Sequence, residues 1–186
     1  MRGGIFGTLA TRLETQEPKV REKKRAAVSV MLSDTIAPKV LLIKRSEREG
    51  DPWSGQIAFP GGKFQDGDES LRATAVREAL EEVGVDLGAS SDFLGYLGLF
   101  RTHTADMEVV PAVFLLRGRV SVKTNEEAAS YKWVDLGRLQ SEGAMFTYRI
   151  QQGGEPRDVP SLKVDDYVVW GLTRQIILYL IGKASA

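Results

Sequence analysis

The chain has 186 residues, 42% hydrophobic and 27% charged, which suits one globular domain over residues 1–186. Its 25 basic and 25 acidic residues cancel, so no overall field attracts a nucleic acid or a membrane surface, and any phosphate recognition has to be local. The absence of cysteine and the presence of one histidine, His103, exclude disulfides, thiolate catalysis and multi-histidine zinc sites, which favours carboxylates as the chemical groups. We expect a cytoplasmic protein, because charges interrupt the apolar start of the chain before it reaches the length of a signal peptide.

The first half of the chain predicts one short helix, several strands and one well-marked longer helix. An N-terminal arm, residues 1–22, contains a short amphipathic helix over 5–15. Strands rich in β-branched and aliphatic residues are predicted at 26–32, 39–45 and 56–59. After the turn at Pro60-Gly61-Gly62, a helix is predicted over 69–83, with Asp68 as its N-cap and Gly84 at its end.

The second half predicts more strands and a helix near the C-terminus. Strands are predicted at 93–103, 107–117 and 129–134, and a short helix at 136–141. A hairpin-like stretch over 147–161 turns at Gly153-Gly154, and an apolar helix over 166–182 follows. Strands on both sides of one central helix predict an α+β fold with α/β/α layers.

Three glutamates on the central helix form the cluster that carries chemistry. Glu78, Glu81 and Glu82 are three and four residues apart, so their carboxylates project from one face while apolar residues cover the other. Like charges at this spacing destabilise a helix by roughly 0.2–0.5 kcal/mol per pair, and the nearby base is Arg77. A hard divalent cation, Mg²⁺ or alternatively Mn²⁺, would compensate the charge and suits diphosphate hydrolysis. An isolated cluster of this kind is more often a solvated helix face, so its context decides.

That context resembles the signature of the Nudix hydrolase family. The run from Arg77 to Val85, R-E-A-L-E-E-V-G-V, fits the second half of the signature, whereas six residues rather than five separate Gly62 from Glu69 in the first half. The resemblance implies a Nudix-type α/β/α sandwich with a mixed central sheet and one catalytic helix. It also implies these roles: Glu78, Glu81, Glu82 and the Gly61 carbonyl as metal ligands, Arg77 orienting Glu78, Glu69 tying the loop to the helix, and Gly84 ending it. The general base varies in the family, and the candidates are Glu78 and the loop residue Glu127 or, failing it, Glu126.

Flanking segments resemble the coenzyme A diphosphatase branch of the same family. They are residues 41–46, 55–62 and 169–173. The basic segment usual in that branch is replaced by the more acidic residues 47–54, one residue longer. The predicted substrate-binding residues are Arg45, Arg48, Gly62 and Phe59, with Trp53 and Trp133 as further candidates to stack on a base. For each arginine the alternative is a solvated side chain, and for each aromatic it is a place in the core. Trp170 is expected in the core or at an interface, and His103 is expected to be structural.

The leading hypothesis is an enzyme that splits coenzyme A, or a related nucleotide diphosphate, into two phosphate-bearing products. Within the same chemistry, ADP-ribose, a nucleotide sugar or a nucleoside triphosphate is the alternative substrate. From another class, a nucleotide-sensing module without catalysis would be expected to have lost part of the carboxylate cluster. The expected partner is a small nucleotide, with neither nucleic acid nor membrane, since no basic tract with interleaved aromatics is present. The arm and the helix over 166–182 could each serve a homodimer.

Overall fold

The computed structural model describes residues 5–21, 24–51, 53–102, 106–141, 145–152 and 155–185. Up to the central helix, its elements are α1 (Ile5–Arg12), β1 (Arg25–Ser33), β2 (Lys39–Arg45), β3 (Ile57–Ala58), β4 (Gly61–Lys63) and α2 (Leu71–Val83). Beyond it follow α3 (Leu87–Ser90), β5 (Ser91–Tyr96), β6 (Phe100–Arg101), β7 (Glu108–Leu116), β8 (Ala128–Asp135) and α4 (Leu136–Ser141). The last elements are β9 (Met145–Gln152), β10 (Glu155–Val164), β11 (Tyr167–Trp170) and α5 (Gly171–Ser185).

A mixed sheet forms the centre of the molecule. Its main strand order is β3-β2-β1-β7-β5, with β4 paired to β1, β6 to β7 and β8 to β2. Strands β1 and β7 run parallel over nine residue pairs, and every residue of β7 is buried. The remaining pairs are antiparallel. A strand buried along its whole length has layers on both faces, which explains the continuous apolar sequence of β7.

Two hydrophobic clusters cover the two faces of this sheet. Helix α2 packs on one face through apolar residues that recur at helical spacing, Leu71, Ala75, Ala79 and Val83. The cluster that contains α1 and α5 includes the buried side chains Phe6, Leu9, Leu13, Ile176, Ile177 and Leu180. The α/β/α layering around a mixed sheet is therefore confirmed. The N-terminal segment predicted as an arm carries α1, whose apolar side chains belong to this core.

A second sheet, of antiparallel strands β9, β10 and β11, lies beside the first and corrects the predicted C-terminal helix. The prediction began the helix at Asp166, but Tyr167–Trp170 pairs with β10, from Val164↔Tyr167 to Ser161↔Trp170. A two-residue turn joins the strands, and Asp165 takes the positive φ of 53° that such turns use. The alternating burial of β11 and its β-branched and aromatic residues suit a strand, so the helix starts only at Gly171.

Helix α2 begins two residues later than predicted and has a different cap. The side chain of Ser70, rather than of Asp68, accepts the hydrogen bond from the Ala73 N–H. Gly84 ends the helix as predicted, with a left-handed φ of 66°. The predicted turn at Gly153-Gly154 and the candidate His103 lie outside the described residues. Within the described segments, no helix has both the length and the apolar composition that a bilayer crossing requires.

Candidate active site

A cavity of about 1860 Å³ is lined by both sheets and by α2. From the central sheet and α2 it receives the glycine turn and three acidic side chains, Glu78, Glu81 and Glu127. Residues of β9, β10, β11 and the start of α5 supply the other part of its wall. Two of the three sequence-predicted helix carboxylates, Glu78 and Glu81, therefore line a space that both sheets share, whereas Glu82 does not border it.

The turn at Gly61-Gly62 comes into direct contact with both the central sheet and α2. Gly61 pairs with Val28 and Gly62 with Ala27, as strand β4. A Cβ added at Gly62 would lie 2.3 Å from Glu78 Oε1, so any larger residue there would displace the Glu78 carboxylate. Glycine at this position therefore lets the backbone of the turn approach the Glu78 carboxylate.

Glu82 is almost completely buried beneath this turn. Its side chain is 1% exposed, and its Oε2 accepts a hydrogen bond of 2.9 Å from the Gly61 N–H. Arg45 Nη1 lies 3.8 Å from Glu82 Oε1. Burial raises the pKa of Glu82 to about 7, although the Gly61 hydrogen bond opposes the shift. Gly61 thus contacts a predicted metal ligand through its N–H.

Glu78 is the second buried carboxylate, and Glu81 is an exposed one. Glu78 is 8% exposed, and burial raises its pKa, against the hydrogen bond of 2.8 Å that Arg77 Nη1 donates to Glu78 Oε1. The same Arg77 Nη1 also donates to Glu81 Oε2 at 3.0 Å. The cluster predicted on one helix face therefore divides into two buried carboxylates and one that pairs with Arg77 at the surface.

The donor set fits a hard divalent cation, but the side chains are not gathered around one. Among the described residues, no group of three acidic or histidine side chains is arranged so that it could hold a metal ion. Glu78 and Glu82 nevertheless supply buried carboxylate oxygens, the ligand type that Mg²⁺ prefers. Their opposing cations, Arg77 and Arg45, are each shared with other acids.

Asp68 makes the connection between loop and helix that the sequence assigned to Glu69. It accepts hydrogen bonds from Arg77 Nε at 3.0 Å, from Thr74 Oγ1 at 2.9 Å and from the Gln65 N–H at 3.0 Å. The hydrogen bond from Arg77 lowers the pKa of Asp68 to about 2. Glu69 is exposed and makes no side-chain hydrogen bond to the part of the chain that the structure describes.

Of the two loop acids considered as general bases, Glu127 lies at the cavity and Glu126 does not. Glu127 is half-buried and lines the cavity. Burial is the main cause of the raised pKa of Glu78 and of Glu82, and the negative charge of Glu127 raises both pKa values further. Its N–H donates to Asn125 Oδ1 at 2.8 Å, and its carbonyl accepts from the Ser46 N–H, which fixes the loop. Glu126 points outward and lies 3.9 Å from Arg48 Nη2.

The two arginines predicted to bind substrate take different positions. Arg45 lines the cavity and donates to Asp51 Oδ2 at 3.0 Å, and its buried Nε has no hydrogen-bond partner among the described residues. Arg48 is exposed, does not line the cavity and donates to the Glu126 carbonyl. The geometry therefore favours Arg45 and not Arg48 as a substrate contact.

The aromatic candidates for base stacking differ in whether they line the cavity. Phe59 borders the cavity, but its ring is 4% exposed and packs in the core, which favours the alternative of a core position over stacking on a base. Trp133 packs against the cluster around α2 and does not line the cavity. Trp53 is half-buried and does line it. Trp170, expected on a helix in the core, ends strand β11 and lines the cavity as well.

Comparison with known proteins assigns this arrangement to a family. Residues 23–151 match the description of the Nudix domain. The chain belongs to the Nudix hydrolase family. It is 30% identical over 188 residues to a Nudix hydrolase NudL of Yersinia enterocolitica, covering 98% of this chain and 95% of the relative. A NudL of Yersinia pestis is 31% identical over 163 residues, covering 87% of this chain and 80% of the relative.

A solved Nudix structure supports the same fold. A MutT/nudix family protein from Enterococcus faecalis superposes with a TM-score of 0.54 at 20% identity, covering 89% of this chain and 63% of that protein. At this identity the likeness concerns the fold alone. The family assignment and the intact Arg77–Gly84 segment indicate a catalytic Nudix hydrolase, not a sensing module that has lost its carboxylates.

Two contacts of the Nudix helix were missed by sequence reasoning. Asp68 was assigned as a cap, although five residues separate it from Gly62, the spacing that the family signature gives its first glutamate. Glu17, in the N-terminal segment, accepts from the Leu71 N–H at 2.9 Å and from the Tyr96 hydroxyl at 3.1 Å. The spacing from Gly62 indicates Asp68, but the spacing to Arg77 indicates Glu69, so spacing alone does not choose between them. No local pattern connects Glu17 with a helix more than fifty residues away.

Proposed function

We propose that this Nudix hydrolase cleaves the diphosphate linkage of a nucleoside diphosphate derivative, with coenzyme A as the first candidate substrate. The observation that carries the proposal is the pair of buried carboxylates, Glu78 and Glu82, packed against a glycine turn at a large cavity. Burying two acids so close together is costly unless a cation faces them. A diphosphate bound with a divalent cation supplies that cation and fills the cavity.

Glu78, Glu81 and Glu82, with the Gly61 carbonyl, would hold Mg²⁺ or Mn²⁺ after their side chains move together from the separate positions described above, Glu81 leaving Arg77. Such a cation would neutralise phosphate charge and make a water molecule more acidic. Arg77 keeps Glu78 directed toward the glycine turn, because Asp68 anchors the guanidinium from behind. Arg45, held by Asp51 at the cavity wall, would contact the phosphates.

Glu127 would accept the proton of the attacking water. Its carboxylate lines the cavity close enough to Glu78 and Glu82 to raise their pKa values. Its loop is fixed by backbone hydrogen bonds, as a base that must stay in reach of its proton requires. Glu78 is the alternative base, but Glu78 is already engaged by Arg77.

A substrate panel tests the reaction. We expect the protein, supplied with Mg²⁺ or Mn²⁺, to convert coenzyme A into adenosine 3′,5′-bisphosphate and 4′-phosphopantetheine, measured by chromatography. ADP-ribose, a nucleotide sugar and a nucleoside triphosphate complete the panel. Cleavage of ADP-ribose without turnover of coenzyme A would overturn the first candidate and keep the diphosphatase chemistry.

The variant Glu78→Gln tests the carboxylates directly. It removes one negative charge with little change of shape, so we expect kcat to fall by about 100-fold or more while the fold is retained. The matched control is Glu155→Gln, an exposed glutamate of β10 that does not line the cavity. Turnover of Glu78→Gln equal to that of the control would remove Glu78 from the mechanism.

A further inference from the structure

The cavity is larger than cleavage of a diphosphate requires. Pockets for drug-sized ligands have volumes of about 300–1,000 Å³. This cavity, of about 1860 Å³, extends from the carboxylates of α2 to the sheet of β9, β10 and β11. Most of that second wall lies beyond residue 151, where the match to the Nudix domain ends. It therefore provides contacts to parts of a ligand other than the reacting phosphates.

One face of the β9–β10 pair presents apolar and cationic side chains to this space. Tyr148 is paired with Val159, and Ile150 with Arg157, and residues two apart on a strand share a face. All four residues line the cavity, as do Arg149, Gln151 and Pro160 at the alternate positions of these strands. The face thus combines an aromatic ring, two aliphatic side chains and one guanidinium.

Tyr148 is the aromatic residue of this face, and its ring is open to a ligand. Its side chain is 39% exposed, in contrast to Phe59, whose ring is buried in the core. Phe146 supports the Tyr148 ring in an edge-to-face contact, with ring centroids 6.2 Å apart at 70°. Next to it, Arg149 forms a bidentate salt bridge with Asp158 across the strand pair, at 2.7 and 3.0 Å. The ring is therefore held on a supported strand pair with surface available for stacking.

We propose that Tyr148 stacks on the aromatic base of the nucleotide substrate, with Val159 beside the base. Arg157 then lies near the phosphate groups of the same nucleotide. The proposal rests on the proposed function, since it names where the nucleoside of that substrate binds. Every base offers a π-face to an aromatic side chain, so such a subsite recognises a nucleoside without reading its hydrogen-bonding edge. Arginine suits the phosphate or ribose phosphate attached to that nucleoside. Tyr148 thus contacts the nucleoside from strand β9, whereas helix α2 carries the carboxylates.

Binding of AMP to the full chain, measured by isothermal titration calorimetry, tests the subsite without turnover. We expect Tyr148→Ala to raise the Kd for AMP by about tenfold, because it removes one base–aromatic contact. Tyr148→Phe keeps the ring and should bind like the wild type. The matched control is Tyr131→Ala, a tyrosine of β8 that is 41% exposed but does not line the cavity. Circular dichroism of each variant checks that the fold is intact.

Failure of the subsite and failure of the proposed substrate give different results. An unchanged Kd in Tyr148→Ala, or absence of AMP binding by the wild type, would overturn the subsite whatever the panel shows. Loss of affinity in Tyr148→Phe as large as in Tyr148→Ala would also overturn it, since stacking does not need the hydroxyl. Weaker AMP binding in Tyr148→Ala supports the subsite even where coenzyme A itself is not cleaved, and that second result overturns only the substrate.

Discussion

Gly61 and Gly62 have no room for a side chain, but for different reasons. A Cβ at Gly61 would lie 2.4 Å from the Ala27 carbonyl oxygen and 2.6 Å from Val28 Cα, both backbone atoms of a central strand. A Cβ at Gly62 would meet the Glu78 carboxylate, the end of a side chain that can move. We therefore expect Gly61→Ala to destabilise the fold by about 1–3 kcal/mol, and Gly62→Ala to leave stability nearly unchanged while displacing Glu78 and lowering kcat at least about tenfold.

Thermal unfolding and turnover, measured on both variants, separate the two effects. Each variant is the matched control for the other, because the same methyl group is added at adjacent positions of one turn. Full activity in Gly62→Ala would show that the approach of the turn to Glu78 does not matter for catalysis. A stability loss in Gly62→Ala equal to that in Gly61→Ala would show that the carboxylate cannot move aside.

At the scale of single residues, the sequence predicted the contact between Arg77 and Glu81 but not the contacts of Asp68 and Glu17. The spacing of Arg77 and Glu81 predicted their contact, because neighbours on a helix follow from its geometry. The choice between Asp68 and Glu69 depended on the path of the loop between Gly62 and the helix, which adjacent acids do not reveal. The burial of Phe59 depended on strands from distant parts of the chain.

At the scale of elements, Asp68 and Arg77 fasten the loop after β4 to helix α2. The pKa of Asp68 falls from 3.8 to about 2, first because of the Arg77 hydrogen bond. A lowered folded-state pKa means that this stabilisation is present above the ordinary pKa and is lost as pH falls toward 2. We expect Asp68→Asn to lose about 2 kcal/mol at neutral pH and to depend less steeply on pH in this acid range.

Urea unfolding of wild type and Asp68→Asn across this pH range measures the difference. Glu69→Gln, one residue further on and exposed, is the matched control and should follow the wild-type curve. If Glu69→Gln instead loses the acid-dependent stability and Asp68→Asn does not, Glu69 fastens the loop as the family spacing first suggested.

The errors among elements share one cause. Strand β2 and helix α4 were predicted with their observed bounds, since a local pattern specifies both. Strand β11 was predicted as the first turn of a helix because Tyr167–Trp170 is apolar and runs directly into the apolar residues of α5. A short apolar run fits either structure, and only its pairing with β10 decides between them.

At the scale of the whole molecule, the cavity could not be predicted because it has no sequence pattern of its own. Its walls come from segments as far apart as Val28 and Gln175, brought together when the two sheets pack. The carboxylates on α2 were found from the sequence because a single helix carries them. The opposite wall, with Tyr148 and Trp170, depends on the hairpins of the second sheet, and the sequence placed Trp170 in the core or at an interface.

The fold buries two acids that a divalent cation would stabilise, so stability should depend on the metal. Glu78 and Glu82 are buried while their arginine partners are shared, and a cation that binds only the folded state at about 100 times its Kd adds about 2.7 kcal/mol. For a chain of this size, saturating Mg²⁺ should then raise Tm by about 5–10 °C.

Glu82→Gln keeps an acceptor for the Gly61 N–H but removes the buried charge, so without metal it should unfold no earlier than the wild type and should not respond to Mg²⁺. Differential scanning calorimetry with Mg²⁺, with EDTA and with NaCl of equal ionic strength measures this. A Mg²⁺ shift that survives in Glu82→Gln would place the cation elsewhere, because nonspecific screening is matched by the NaCl sample.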